Sequence, residues 1–353
     1  MAALGEVRVG EHGIIWAREQ DRKGARAIKQ HVVAGAIIKI AHGAYYEHSS
    51  WRSLSPAHKL GVRALAIVSE HSRGVITGAA AVALHGAWVL TRGSPIVVCG
   101  GSQDFRGTAG CHRTARRIEP EHIVEVAGRS VASLPKAILD DCGLRSSRSG
   151  YKRNSPLDDA LSAVLVAIEG AMRRGVSREE LLEVAAQYPR QHGQKLFRAA
   201  VGLCHGRCET PGEALMKAAL LRRGASFHEQ VEIFAPGTAY EPPHFVARVD
   251  FYIPSAQLVV EFDGHVKYSR GAVAPTNEEQ SRIITDETYR ERALRELGLD
   301  VVRGQWGDVD GSDPRFISRL QGVIASRRRA LERGSAEVRA LVKNEGPLIV
   351  PGP

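Results

Sequence analysis

Val249-Asp250-Phe251-Tyr252-Ile253, then Pro254-Ser255-Ala256-Gln257, then Leu258-Val259-Val260-Glu261-Phe262 is the stretch that decides how the C-terminal third folds. Two runs rich in Val, Ile, Phe and Tyr, parted by a Pro-led turn, predict two adjacent strands. Each run carries one carboxylate in apolar company. A buried carboxylate is costly unless it is paired, hydrogen-bonded or bound to a cation. From neighbouring strands, Asp250 and Glu261 can project on one sheet face and share a divalent ion. Oxygen-only ligation suits Mg2+ or Mn2+, which keep several waters and bind phosphates. Such an ion polarises a scissile phosphate and helps form an attacking hydroxide. Lys267 lies a little further on, an amine able to stabilise transition-state charge or orient the water.

The flanking segments give the pair a frame. A helix is predicted over Gly212 to Arg223, strands over Gln230 to Phe234 and Phe245 to Ile253, and the strand Leu258 to Phe262 after them. A long charged helix from Glu278 to Leu297, a strand at Asp300 to Arg303 and a final Arg-rich helix from Pro314 to Glu332 complete the series. The order α-β-β-β-α-β predicts a mixed sheet flanked by helices.

Taken together, these segments resemble the PD-(D/E)XK nuclease superfamily, most of all its branch related to very-short-patch-repair endonucleases. The resemblance rests on Thr210-Pro211-Gly212-Glu213 opening a helix, on Gln230-Val231-Glu232-Ile233, and on Arg248-Val249-Asp250-Phe251 leading to Leu258-Val259-Val260-Glu261-Phe262-Asp263-Gly264. Tyr289 to Leu294 and Gly298 to Arg303, running on to Trp306, extend it over about residues 209–325. It implies a restriction-endonuclease-like α/β core that hydrolyses DNA phosphodiester bonds. Glu213 is then the helix carboxylate completing the site. Asp250 and Glu261 become ligands of Mg2+ or Mn2+, and the main-chain carbonyl of Phe262 a further ligand. One position departs from the pattern: the Lys expected two residues after the strand glutamate is Asp263. Three readings stay open. Lys267 re-enters the site from the loop; or Asp263 is another ligand and His265 handles protons; or Asp263-Gly264 only makes a turn and the site is degenerate.

The N-terminal block, residues 1–50, reads as a DNA-docking module. Ala25, Ile28, Val32 and Val33 fall near helical spacing, Gly35 stops the helix, and Ile37 to Ala41 and His42 to Tyr46 predict a hairpin about a Gly turn. Helix, turn, helix and hairpin is the order of a winged helix, in which the second helix enters the major groove. Arg22, Lys23, Arg26, Lys29 and Gln30 are placed to meet DNA there, unless they form only a solvated basic face. Glu11-His12-Gly13-Ile14-Ile15, Val33 to Ile40, His42-Gly43-Ala44-Tyr45 and Thr77 to Gly86 resemble the N-terminal winged helix and second domain of AbiEi-type antitoxins, over about residues 8–140. That resemblance implies operator DNA as a partner and admits a cognate toxin.

Residues 51–208 predict a mixed α/β middle domain. Helices are expected at Lys59 to His71, Gly78 to His85 and Leu157 to Met172, a strand at Pro95 to Cys99, and a hairpin at Ile123 to Val131. Ser133 is a predicted N-cap, and Ser177-Arg178-Glu179-Glu180 a capping box. Gly100 to Arg117, Gly-rich and basic, reads as a loop or a ragged hairpin. His85, His112, Asp140 and Asp141 stand isolated and are read as structural. Cys204-His205-Gly206-Arg207-Cys208 hints at zinc, but a structural site needs four ligands. No second pair stands in sequence, so unligated cysteines are expected. Trp306 either stacks on bases or anchors the last strand. Arg319, Arg327, Arg328, Arg329 and Arg333 read as solvated charge, with phosphate contact as the alternative. Residues 336–353 read as a tail, frayed from Gly346 on.

Composition bounds these readings. The chain has 353 residues, 43% of them hydrophobic and 25% charged, which suits a multidomain α+β protein rather than a disordered one. No apolar run reaches the roughly 18 residues of a membrane span, and Met1 to Gly10 lacks the pattern of a secretory signal. Five cysteines argue against a disulfide framework. The expectation is a cytoplasmic protein. Its net charge of +9 permits nucleic acid as a partner without requiring it.

Overall fold

The computed structural model describes residues 6–68, 74–100, 111–114, 117–146, 159–264, 277–309 and 315–351, with 277–286 as backbone only. The chain divides into two compact units, Met1–Lys152 with Gly170–Arg198, and Arg153–Glu169 with Ala199–Pro353. The architecture is α+β, with one antiparallel and two mixed sheets.

The first unit opens on β1 (Ile15–Trp16), α1 (Arg22–Val33), β2 (Ile37–Ala41) and β3 (Ala44–Glu47), the strands ordered β1-β3-β2. The Asp21 carboxylate caps α1 by accepting from the Gly24 N–H at 2.8 Å. Ile28 anchors the helix against Ile15 and Ile37, and Gly43, at φ 66°, closes the hairpin. Two differences from the sequence reading stand out. The helix begins at Arg22 rather than Ala25, and among the described residues only single 3-10 turns, Glu11–Gly13 and Ala17–Glu19, precede it. Val32 and Val33 are exposed rather than packed, because the helix ends there and Gly35, at φ 71°, turns the chain into β2.

The short α2 (His48–Ser53) and α3 (Pro56–Ile67) lead to a second sheet of order β6-β5-β4-β8-β7. Its strands are β4 (Val75–Thr77), β5 (Ile96–Cys99), β6 (Cys111–Thr114), β7 (Ile123–Val126) and β8 (Arg129–Ala132), with α4 (Gly78–Leu84) and α5 (Leu134–Ser146) packed on each other. β6 lies inside the stretch expected as a loop or a ragged hairpin, and pairs parallel with β5. Asp140 accepts from Lys136, from Thr77 Oγ1 at 2.5 Å and from Gln191 at 2.7 Å, while Asp141 pairs with Arg145 at 2.7 Å. Both carboxylates are thus satisfied internally, as a structural role requires. Ser133 does not cap α5: its buried hydroxyl has no partner among the described residues. α6 (Ala160–Met172), α7 (Arg178–Gln187) and α8 (Gln194–Leu203) follow. Ser177 and Glu180 make both arms of the expected capping box on α7.

The second unit is built on α9 (Pro211–Arg222), β9 (His228–Ala235), β10 (His244–Ile253), β11 (Leu258–Phe262), α10 (Asn277–Glu296), β12 (Asp300–Gly304), α11 (Trp306–Val309), α12 (Arg315–Glu332) and β13 (Leu341–Lys343). The strand order is β12-β11-β10-β9-β13, and only β11 and β12 run parallel. A parallel pair needs a crossover, which α10 supplies. Val231, Ile233, Val249, Val259, Leu294 and Leu299 pack as one buried cluster. The C-terminal residues are not a frayed tail. β13 adds the edge strand to β9, and Ile349, 2% exposed, exchanges backbone bonds with Phe227 in both directions.

Candidate active site

The antiparallel ladder pairs Phe251 with Val260 and so sets Asp250 beside Glu261, one step further along. The parallel ladder sets Glu261 opposite Arg303. Asp250 Oδ2 accepts from the Phe262 N–H at 2.8 Å, so the residue whose carbonyl was expected as a ligand already fixes the Asp250 side chain. Glu213 enters from the first turn of α9. Thr210 caps that helix and donates from its hydroxyl to Glu213 Oε1 at 2.8 Å, while the Glu209 N–H donates to Oε2 at 2.8 Å. Gly212 allows α9 to start this close: a Cβ there would sit 1.9 Å from the Phe262 ring.

One residue of this site went unnoticed in the sequence. The Gln230 side-chain amide donates to Glu213 Oε2 at 3.1 Å and to Asp250 Oδ1 at 3.4 Å. Its backbone sits at φ 50°, a left-handed conformation that non-glycine residues adopt at some cost. A Gln in a predicted strand gave no signal of that. Two arginines were also missed. Arg290 Nη2 donates to Glu261 Oε1 at 2.6 Å, and Arg303 Nε lies 3.4 Å from Oε2. Arg290 comes from the segment expected as a long charged helix and Arg303 from the end of the strand after it.

Electrostatics single out Asp250. Burial, and after it the neighbouring Glu213 carboxylate, push its carboxyl up to about 7, with a smaller contribution from Glu261. The Phe262 N–H and Arg290 oppose the shift without cancelling it. Crowded carboxylates of this kind are what a divalent cation relieves, and the donors are oxygen throughout, as Mg2+ or Mn2+ prefer. By chemistry, then, Glu213, Asp250 and Glu261 fit such an ion. By geometry they do not form a closed trio among the described residues, since one ligand atom from each does not fall within 4.8 Å of the others. An ion at Glu261 would share that carboxylate with Arg290 and Arg303.

Asp263 continues the parallel pairing through its N–H to the Gly304 carbonyl at 2.7 Å. It lines an open groove of about 710 Å³ with Glu287, Glu291, Arg292, Arg295 and Arg303. Lys267 and His265 lie outside the described residues. Trp306 stands edge-on to Phe262, ring centroids 5.3 Å apart, and acts as an anchor. Arg327 is not solvated charge: it donates to the Gly298 carbonyl at 2.6 Å and lies 3.3 Å from Asp300, tying α12 to the sheet. In the first unit, Arg22, Lys23, Arg26, Lys29 and Gln30 all face solvent on α1, and only Gly24 and Ile28 of that helix are buried.

A second cluster of chemistry-bearing side chains lies in the same unit. One ligand atom each from Glu169, Cys208 and Glu229 falls within 4.8 Å of the other two. Lys217 Nζ lies 2.7 Å from Glu169 Oε1 and 2.8 Å from Glu229 Oε1. Burial pushes the Cys204 and Cys208 thiols well above their ordinary range. Compared with protein-family models, curated proteins and solved structures, the chain matches none.

Proposed function

We propose that the chain is a Mg2+- or Mn2+-dependent DNA endonuclease-like protein that uses α1 to engage DNA. The observation that carries this reading is Asp250, a raised-pKa carboxyl set between Glu213 and Glu261 on paired strands. Glu213, Asp250 and Glu261 would hold the ion, with the Phe262 carbonyl as a further ligand. A Mg2+ or Mn2+ ion held there supplies Lewis-acid polarisation of the scissile phosphate. Gln230 holds the Glu213 and Asp250 carboxylates in register. Arg290 exchanges Glu261 for a phosphate oxygen of the DNA strand, an equally good partner for a guanidinium. Lys267 stabilises charge in the transition state, and Asp263 and Arg303 line the groove along which the strand lies. Arg22, Lys23, Arg26, Lys29 and Gln30 contact phosphates and base edges.

The test is nicking of a supercoiled plasmid with Mg2+ or Mn2+. Asp250→Ala and Glu261→Ala should each slow the reaction by at least about 100-fold, since a catalytic ion contributes several kcal/mol. Equal nicking by all three proteins overturns the assignment.

A second reading has its own observation. Glu261 is already neutralised by Arg290 and Arg303, and Asp263 stands at the lysine position. The fold would then be a degenerate nuclease serving a DNA-binding regulator of antitoxin type, with a cognate toxin as partner. It expects no metal-dependent cleavage. It expects instead a gel shift of the upstream DNA that Arg26→Ala and Lys29→Ala weaken, with a shallower salt dependence.

A further inference from the structure

The Cys204–Cys208 segment lacks a second ligand pair in sequence, but the fold supplies one. Glu169 near the end of α6 and Glu229 on β9 both reach the turn that carries His205 and Cys208. The turn wraps the Glu169 carboxylate, with the His205 N–H 3.2 Å from Oε1 and the Cys208 N–H 3.4 Å from Oε2. Cys208 Sγ lies 3.4 Å from Glu229 Oε1. The other Glu229 oxygen, Oε2, faces His205 Nδ1 at 3.8 Å, too far for a hydrogen bond. Both of those atoms are buried with no hydrogen-bond partner among the described residues, and Glu229 as a whole is 3% exposed. Orphaned buried polar atoms of this kind are rare and call for a missing partner.

We propose that Glu169, His205, Cys208 and Glu229 form a binding site for one Zn2+ ion. The donor set is one sulfur, one imidazole nitrogen and two carboxylates, which suits Zn2+ and is poor for Mg2+ or Ca2+. Zinc–ligand bonds of about 2.0–2.3 Å place tetrahedral donors roughly 3.3–3.8 Å apart. Three of the four donors already lie within 4.8 Å of one another, and His205 Nδ1 faces the third of them, Glu229, at 3.8 Å; to admit the ion, the Lys217 ammonium between the two carboxylates must turn aside. Charge favours the ion as well. Glu169 and Glu229 against Lys217 leave one net negative charge in a fully buried place, and an uncompensated buried charge is costly. Zn2+ entering with loss of the Cys208 proton brings the group to neutrality. The His205 ring, its side chain 21% exposed, is the way in. Such an ion ties the end of α6, the 204–208 turn and β9 into one cross-link. The site uses none of the residues assigned to DNA hydrolysis.

The test uses the full chain, stripped of metal and titrated with Zn2+ against a chromophoric chelator, and with Co2+ for its absorption spectrum. One tightly bound equivalent is expected, with a thiolate-to-cobalt charge-transfer band. Cys208→Ser should abolish the band, and His205→Ala should weaken Zn2+ binding at least tenfold. Asp250→Asn should bind Zn2+ as the unaltered chain does. If Cys208→Ser does not fold, His205→Ala decides, because the imidazole sits at the accessible edge. Absence of a bound equivalent overturns the proposal. So does an equivalent that Asp250→Asn removes and His205→Ala leaves in place.

Discussion

Asp250 shows how much a single side chain reports. An unfolded Asp titrates near about 3.9, whereas the folded one is pushed up to about 7. Between those values the folded chain keeps a proton that the unfolded chain has shed. Stability from this group is therefore present in acid and lost as pH rises through that window. In EDTA, Asp250→Asn should be more stable than the unaltered chain at about pH 8, and the gap should shrink toward about pH 4. Urea midpoints across the range measure it, and a gap independent of pH contradicts the assignment. Added Mg2+ should reverse the order, because it binds only the ionised carboxylate. Asp250 and Glu261 were legible in the sequence because a charge in an apolar strand is anomalous. Gln230, Arg290 and Arg303 were not, since nothing in an amide or guanidinium says where it points. The left-handed backbone of Gln230 in particular is imposed by its neighbours rather than by its own preferences.

Among the elements, α9 carries the closest tolerance. Its first turn must combine a Thr210 cap, the Glu213 carboxylate and contact with the Phe262 ring, which in turn meets Trp306. Gly212→Ala forces the ring or the helix to shift, an overpacking that costs about 1–3 kcal/mol. The expected outcome is a lowered urea midpoint together with impaired nicking, because Glu213 moves with the turn. Unchanged stability would show that the ring has room to yield. The sequence located the start of α9 to within a residue, since Thr-Pro-Gly-Glu is a strong helix entry. It was less successful with α1, where the helix starts three residues early under the Asp21 cap. Capping by a side chain overrode the apolar spacing there. Ser133 is the converse case, a residue of capping type whose hydroxyl caps nothing.

For the molecule as a whole, the two units draw on segments far apart in sequence. Residues 159–169 and 199–208, read as part of a middle domain, belong to the same compact unit as the C-terminal sheet. The last residues belong there too, through β13 and the Phe227–Ile349 bridge. Ending the chain after Arg339 strips the outer strand from β9, leaves an open edge, and removes Ile349, whose burial alone is worth about 1.5–3 kcal/mol. The truncated chain should unfold at a lower urea midpoint and aggregate more readily; an unaltered midpoint would return this segment to the status of a tail. The sequence by itself determined the α+β class, the α-β-β-β-α-β order from α9 to β12 and the pairing of Asp250 with Glu261. Those follow from local patterns of apolar spacing, turn residues and caps, and such patterns are written in consecutive residues. Only the tertiary structure decided which cations hold Glu261, that Gln230 bridges the carboxylates, that Glu169 and Glu229 meet His205 and Cys208, and that the tail closes the sheet. Each of these joins residues between 17 and 122 positions apart, and chain folding, not local preference, sets which of them meet.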